Sequence, residues 1–380
     1  MTDRFTEFRP DYTPRLPGDY LRRFLNERGI KIVDFARRTG RPTKAISEII
    51  SGKVSITPET AIQFERVLGE GAGFWLALEA KHQLSLARSK EVQAASSKKA
   101  MDWAKQFPVT QMLKLGLLDK KPDPSELVDH ILKAFGVSSI SAWEQHWQQR
   151  LDLSRFKQQN HNGIDPLGVA VWLRAAEITA NLIETEPYSE ATFRSTLPRL
   201  RDLSKQPWRK ISNELISLCA SAGVAVAMVP SVPRTGLRGA AYWATKDKAV
   251  IVVSDRLGYE ANVWFAFFHE CCHILEHSKK SVFIDKDNNG TAGRDIEAEA
   301  DRFSAETIIP GSIVSDFKAT FGSKVPRFSS KSLTHFASQH DIDPGLLLVR
   351  LQREEVISYK TQLTKIKRRI TFNANGRMSV

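Results

Sequence analysis

His269 and His273, four residues apart with Glu270 beside the first, are the residues of this sequence whose types and spacing can do chemistry. On an α-helix, positions i and i+4 project from one face, so two imidazoles can bind one metal ion while the neighbouring carboxylate takes a proton from water. Val263, Trp264, Phe265, Phe267, Phe268, Ile274 and Leu275 make the helix apolar nearly all round, which predicts burial. Buried imidazoles and a buried carboxylate need partners, and a metal ion provides them. Zn2+ is the ion this donor set predicts, with another divalent ion such as Mn2+ also able to fit. A third ligand is expected from the next helical pattern, where Glu297 and Asp301 share a face with the small residues Ala300 and Ser304. Glu297 is expected as that ligand, and Asp301 as the acceptor that orients a ligand imidazole. Glu299, rotated about 200° from Glu297, should face elsewhere. His277 lies about 12 Å along the helix axis from His269, too far to share one ion, so a hydrogen-bonding or substrate-side role is expected for it. Cys271 and Cys272 point off the ligand face and read as small buried hydrophobes.

The elements that position these residues form a recognisable order. Between 206 and 260 a helix through ELISLCASAG leads to strand-like GVAVAMVP, GAAYWAT and AVIVVSD, which predict a small sheet. Two helices follow, YEANVWFAFFHECCHILEH and DIEAEADRFSAETII, and beyond Pro310 a further pair, SLTHFASQHD and DPGLLLVRLQREE. AVIVVSDR could pair with an extended substrate if it is an edge strand. Residues 100 to 205 alternate helical patterns with loops such as DKKPDP and KQQNHNGIDP and carry no catalytic constellation. Residues 17 to 90 read as five short helices, with Gly29, Gly40, Gly52 and Gly69 at expected stops and Thr57-Pro58 as a cap followed by proline. The stretch from Ser89 to Ala100 fits either the end of a long helix or a connector.

The fold class that follows is multidomain. An all-α helix-turn-helix domain is expected at 1–95, a helical connecting domain at 96–205, an α+β zincin-like domain with a small sheet at 206–360, and a basic tail at 361–380. The length of 380 residues fits several cores. The net charge of +12 favours a polyanionic partner without identifying one. Cys219, Cys271 and Cys272 are odd in number and form no disulfide framework, which fits a reducing cytoplasm. The most apolar stretch, Trp264 to Leu275, is far shorter than the roughly 20 residues of a membrane span, and the polar, proline-punctuated start lacks the pattern of a secretory signal. A cytoplasmic protein is therefore expected.

Within Ile32 to Ser51, Ala36, Gly40, Ile46 and Ile49 stand at helix-turn-helix offsets: a small residue for helix contact, glycine for a left-handed turn, and two core residues under the second helix. Thr43, Lys44, Ser47 and Glu48 on that helix, with Arg41 before it and Lys53 after, are the candidates for base and phosphate contacts.

Two family resemblances follow from these motifs. VWFAFFHECCHILEH, the following KKSVFID, and Glu297-Ala298-Glu299-Ala300-Asp301-Arg302-Phe303-Ser304-Ala305 resemble the ImmA/IrrE metallopeptidases, over about residues 206 to 355. Cys272 stands where that family usually has glycine. Residues 16 to 90 resemble HigA-type antitoxins of the Xre group in the order PGDYLRRFLNERG, the turn, ISEIISGKVSITPETAIQFERVLG and GFWLALEAKHQL. The resemblances imply binding of double-stranded operator DNA as a homodimer, a possible toxin partner, and a repressor-type protein, or the chain itself, as peptidase substrate. Glu270 would be the general base; Tyr242, His277, His335 and His340 are open candidates for oxyanion stabilisation. The competing reading is a non-enzymatic repressor or antitoxin whose peptidase-like domain senses a signal or binds a partner.

Overall fold

A computed structural model describes residues 16–151, 163–277, 283–286, 294–323 and 328–373. Part of the KQQNHNGIDP loop and of the KKSVFID segment therefore lies outside the described residues. The chain divides into two compact units, one ending at Met101 and the other beginning at Asp102.

In the first unit the five helical patterns become α1 (Pro17–Glu27), α2 (Ile32–Arg38), α3 (Thr43–Ile50), α4 (Pro58–Leu68) and α5 (Ala72–Ala95). Thr57 caps α4 by accepting a hydrogen bond from the Thr60 amide, and Pro58 occupies the first turn, where a missing N–H costs nothing. Gly40 takes φ 68°, the left-handed conformation that a side chain would strain, and so lets α3 turn back on α2. Leu21, Leu25, Phe35, Ala36, Ile46, Ile49, Phe64 and Trp75 form the core beneath these helices. Ser89 to Ala95 continues α5 as helix.

The second unit opens with short helices: α6 (Lys98–Ala104), which begins before the division, α7 (Val109–Lys114), α8 (Leu127–Phe135) and α9 (Ile140–Leu151). Phe107, Phe135 and Trp143 meet edge to face, with ring centroids 5.3 to 5.7 Å apart. Next come α10 (Pro166–Asn181), α11 (Glu190–Leu203) and α12 (Trp208–Ala220), then β1 (Val224–Val229), β2 (Leu237–Thr245) and β3 (Lys248–Ser254). The chain continues with α13 (Glu260–Glu276), β4 (Phe283–Lys286), α14 (Arg294–Ile308), α15 (Gly311–Phe321), α16 (Ser330–Gln339) and α17 (Pro344–Arg353), and a 3-10 turn at Gln362–Ile366.

The strands order as β1-β3-β2-β4, with β1 parallel to β3 and the other pairs antiparallel. AVIVVSDR is therefore no edge: β3 is paired on both sides, and the expectation that it takes up a substrate strand is corrected. Its unbroken apolar run suits a strand covered on both faces. Helices α10 and α12 pack on β1, while α13 packs on β2 and β3.

One hydrophobic core joins the sheet to α13 and extends from Phe193, Leu200 and Leu203 of α11 to Leu363, Ile370 and Phe372. It starts before residue 206 and passes residue 360. The basic cluster expected as a tail is folded into the domain as far as residue 373. Arg368 donates to Glu260 at 2.5 Å, to Asp343, and to the carbonyl oxygens of Ser204 at 3.2 Å and Gln206 at 3.0 Å. Lys367 donates to Gln352 Oε1 at 2.8 Å, and the Arg369 guanidinium lies 4.5 Å over the Tyr259 ring. Lys367 and Arg368 are engaged within the fold, while Arg369 lies exposed over the Tyr259 ring.

Candidate metal centre and helix-turn-helix face

Helix α13 is buried almost throughout, and Trp264, Phe265, Phe267 and Phe268 are fully covered. Truncating any one of these rings to alanine removes about 3–5 kcal/mol of packing, so the aromatic residues are a main anchor of the helix. His269, Glu270 and His273 are carried into the interior on that scaffold, at 2%, 0% and 1% exposure. Helix α14 lies against α13, and Ala300 and Ser304 are both buried at the crossing. Ser304 donates its hydroxyl to the Phe265 carbonyl at 2.9 Å, which fixes the two helices together.

That crossing brings His269, His273 and Glu297 into one group, with a ligand atom of each within 4.8 Å of the others. His269 Nε2 lies 3.1 Å from His273 Nε2 and 3.1 Å from Glu297 Oε2. Two imidazole nitrogens and a carboxylate converging in this way, from buried or half-buried side chains, are a donor set that fits a divalent ion such as Zn2+ or Mn2+. Burial, reinforced by the neighbouring His269 and His277 rings, pushes His273 down to about 3, so its imidazole is neutral near pH 7 and keeps the lone pair a metal needs.

Around this group lies a second layer. Asp301 Oδ1 is 3.2 Å from His269 Nδ1, the placement expected for an acceptor that orients the ring. Arg353 of α17 donates to the same oxygen at 3.3 Å. Partial burial opposes the charge on Asp301, but the His269 hydrogen bond and the Arg353 guanidinium outweigh it and hold the carboxyl below its usual range. Arg353 had no local signal in the sequence, since it lies 52 residues from Asp301. His277 stands outside the ligand group, yet its Nδ1 is 2.9 Å from His273 Nδ1, and Glu299 Oε2 is 3.3 Å from its Nε2. Glu299 thus faces away from the ligands, as helical rotation requires, and toward His277. Tyr242 is buried on β2, His335 is exposed on α16, and the His340 ring centroid lies 4.4 Å from that of Phe336.

Gly239 of β2 is a positioning feature the sequence did not single out. A Cβ there would lie 2.5 Å from Glu270 Oε1 and 3.0 Å from the Val252 carbonyl. The missing side chain makes the space in which the Glu270 carboxylate rests. Gly239→Ala is expected to leave metal affinity within about threefold but to slow any hydrolysis by about 100-fold, since displacement of a catalytic group by about 1 Å has that effect. Parallel metal-competition and cleavage assays would check this; an equal loss in both would mean the glycine serves the fold alone.

On the first unit, α2 and α3 form the helix-turn-helix. Ala36, Ile46 and Ile49 are buried at its core, while Thr43, Lys44, Ser47 and Lys53 are exposed. Glu48 is half-buried, 3.9 Å from Lys44, and the Ser47 hydroxyl donates to the Thr43 carbonyl. Arg41 is half-buried and donates through Nε to Gln63 Oε1 of α4 at 2.5 Å, which holds its guanidinium at the start of α3.

Comparison with known proteins places both regions. Residues 21–75 match the helix-turn-helix family, and residues 223–335 match the IrrE N-terminal-like domain. The chain belongs to the helix-turn-helix family through its N-terminal region, which is fused to an IrrE-like domain. Similar proteins include the uncharacterized HTH-type transcriptional regulator YddM of Escherichia coli strain K12, 33% identical over 63 residues, 17% of this chain and 67% of that protein. Virulence-associated protein A of Dichelobacter nodosus is 35% identical over 74 residues, 19% of this chain and 72% of that protein. Among solved structures, one described as a "putative antidote protein of plasmid maintenance system" from Nostoc punctiforme is 32% identical, covering 21% of this chain and 89% of that one, with a TM-score of 0.21. Among the described residues no helix is long and apolar enough to cross a membrane.

Proposed function

We propose that the chain is a DNA-binding regulator whose C-terminal region is a zinc-dependent endopeptidase acting on a repressor-type protein or on the chain itself. The observation that carries this reading is the convergence of His269, His273 and Glu297 beside the buried Glu270. His269, His273 and Glu297 would hold a divalent ion, whose Lewis acidity would serve to polarise a scissile carbonyl and lower the pKa of water. Glu270 accepts the proton of the attacking water and delivers it to the leaving amine. Asp301 and Arg353 hold the His269 ring in place during that exchange. The test is metal content of the purified full chain together with a screen of repressor-type proteins encoded beside its gene. Cleavage that disappears on chelation and returns with Zn2+ supports the proposal; bound metal without any cleavage across that set, the chain itself included, counts against it.

The N-terminal unit supplies the DNA address. Arg41, Thr43, Lys44, Ser47, Glu48 and Lys53 form the face offered to double-stranded operator DNA, with a homodimer reading two half-sites. A toxin partner and a cytoplasmic location complete this reading. Replacing Arg41 and Lys44 together with Ala should weaken binding to a duplex spanning the gene's own promoter by about 10- to 100-fold and reduce the salt slope by about 1 to 2. Titrations at several salt concentrations would check both numbers, and an unchanged slope would remove these two residues from the interface.

A further inference from the structure

The two ligand imidazoles are supported differently. His269 has a carboxylate on its outer nitrogen, that of Asp301. His273 has another imidazole there: His277 Nδ1 lies 2.9 Å from His273 Nδ1, and His277 Nε2 lies 3.3 Å from Glu299 Oε2. His277 reaches this place because it has left the helix. It is the C-cap of α13, with extended backbone at φ −115° and ψ 166°, and its side chain is 8% exposed. Counted along an unbroken helix, it would stand one turn further on.

Among the described residues these contacts set the placement of the protons. When His273 Nε2 offers its lone pair to a metal ion, the proton sits on Nδ1 and is donated to His277 Nδ1. His277 must carry its own proton on Nε2, which it donates to the Glu299 carboxylate. We infer that His277 and Glu299 are positioning residues of the metal centre, fixing the tautomer and orientation of His273 at one remove as Asp301 does directly for His269. The inference rests on the reading of His269, His273 and Glu297 as metal ligands. It assigns all three acidic residues of the Glu297-Ala-Glu299-Ala-Asp301 run on α14: one ligand and one anchor for each imidazole.

The test uses the full chain and needs no substrate. Zn2+ affinity is measured by competition with a chromogenic chelator, and Co2+ is substituted to read the visible absorption of the site. His277→Phe, which keeps a ring but loses the acceptor, should bind Zn2+ about 10- to 100-fold more weakly, with an altered Co2+ spectrum. His277→Asn, whose amide oxygen can accept the Nδ1 proton of His273, should recover affinity to within about threefold of wild type. Glu299→Leu should weaken binding while Glu299→Gln, which still accepts from His277, should not. Should His277→Phe fail to fold, as judged by circular dichroism, the Glu299 pair decides. Wild-type affinity and spectrum in His277→Phe would overturn the inference, as would a His277→Asn variant as weak as the phenylalanine one. A wild-type chain that takes up neither ion would instead remove the metal-centre reading itself, and this inference with it.

Discussion

Glu270→Gln protein should bind metal as wild type does and cleave its target about 10²- to 10⁴-fold more slowly. The side chain is fully buried beside His269 in the sequence of α13 and rests in the space left by Gly239. Glutamine has nearly the same volume, so packing is kept, but it cannot take a proton from water. Initial rates on a repressor-type protein encoded beside the gene, measured alongside Zn2+ affinity, separate the two effects. If wild type and variant handle such proteins identically and control the same promoter equally well, the peptidase reading gives way to the non-enzymatic one, in which the domain senses or binds a partner.

Arg368→Ala should lower the stability of the larger unit by about 3–5 kcal/mol, the range for breaking a buried ion pair from one side. The guanidinium joins Glu260 in the first turn of α13, Asp343 at the N-cap of α17, and the backbone between α11 and α12. Both carboxylates are well covered, at 5% and 8% side-chain exposure, so removing the arginine strands them. Burial already pushes the Asp343 carboxyl above its ordinary range, against the pull of the Arg368 charge. Calorimetry of the full chain should show one transition shifted, that of the unit beginning at Asp102. Adding Glu260→Gln to the variant should cost much less than the sum of the single changes, because part of the penalty is the stranded charge itself. Full additivity would mean that the two side chains do not act together.

The grouping of His269, His273 and Glu297 was legible in the sequence because it depends on helical spacing. His269 and His273 are four apart, as are Glu297 and Asp301, and no tertiary knowledge is needed to place each pair on one face. The small residues Ala300 and Ser304 marked the crossing side of α14 for the same reason. Reasoning on a single axis stopped at the helix end. His277 belongs to the C-cap, so its distance from His269 along an ideal helix says nothing of where its ring lies, and the place of Glu299 followed it out of view. Arg353 and Gly239 come from elements far along the chain. Strand order is likewise non-local: the β2–β3 hairpin is visible from the short turn between them, but the parallel pairing that puts β1 beside β3 is not. The continuous AVIVV run was the available sign of a covered strand. The lysines and arginines after 364 were read by composition, which registers charge and not whether a carboxylate awaits it.

The short acidic run of α14 has one more consequence. If Glu297 is a ligand and Asp301 and Glu299 support the two imidazoles, then with α14 hooked to α13 by Ser304 the docked position of this helix and the affinity for metal are the two sides of one thermodynamic linkage. Whatever draws α14 away from α13 must loosen the ion by the same factor by which the ion resists the movement. The site therefore reports the seating of a single helix, and a partner that grips that helix could act as a rheostat on the ion without entering the site.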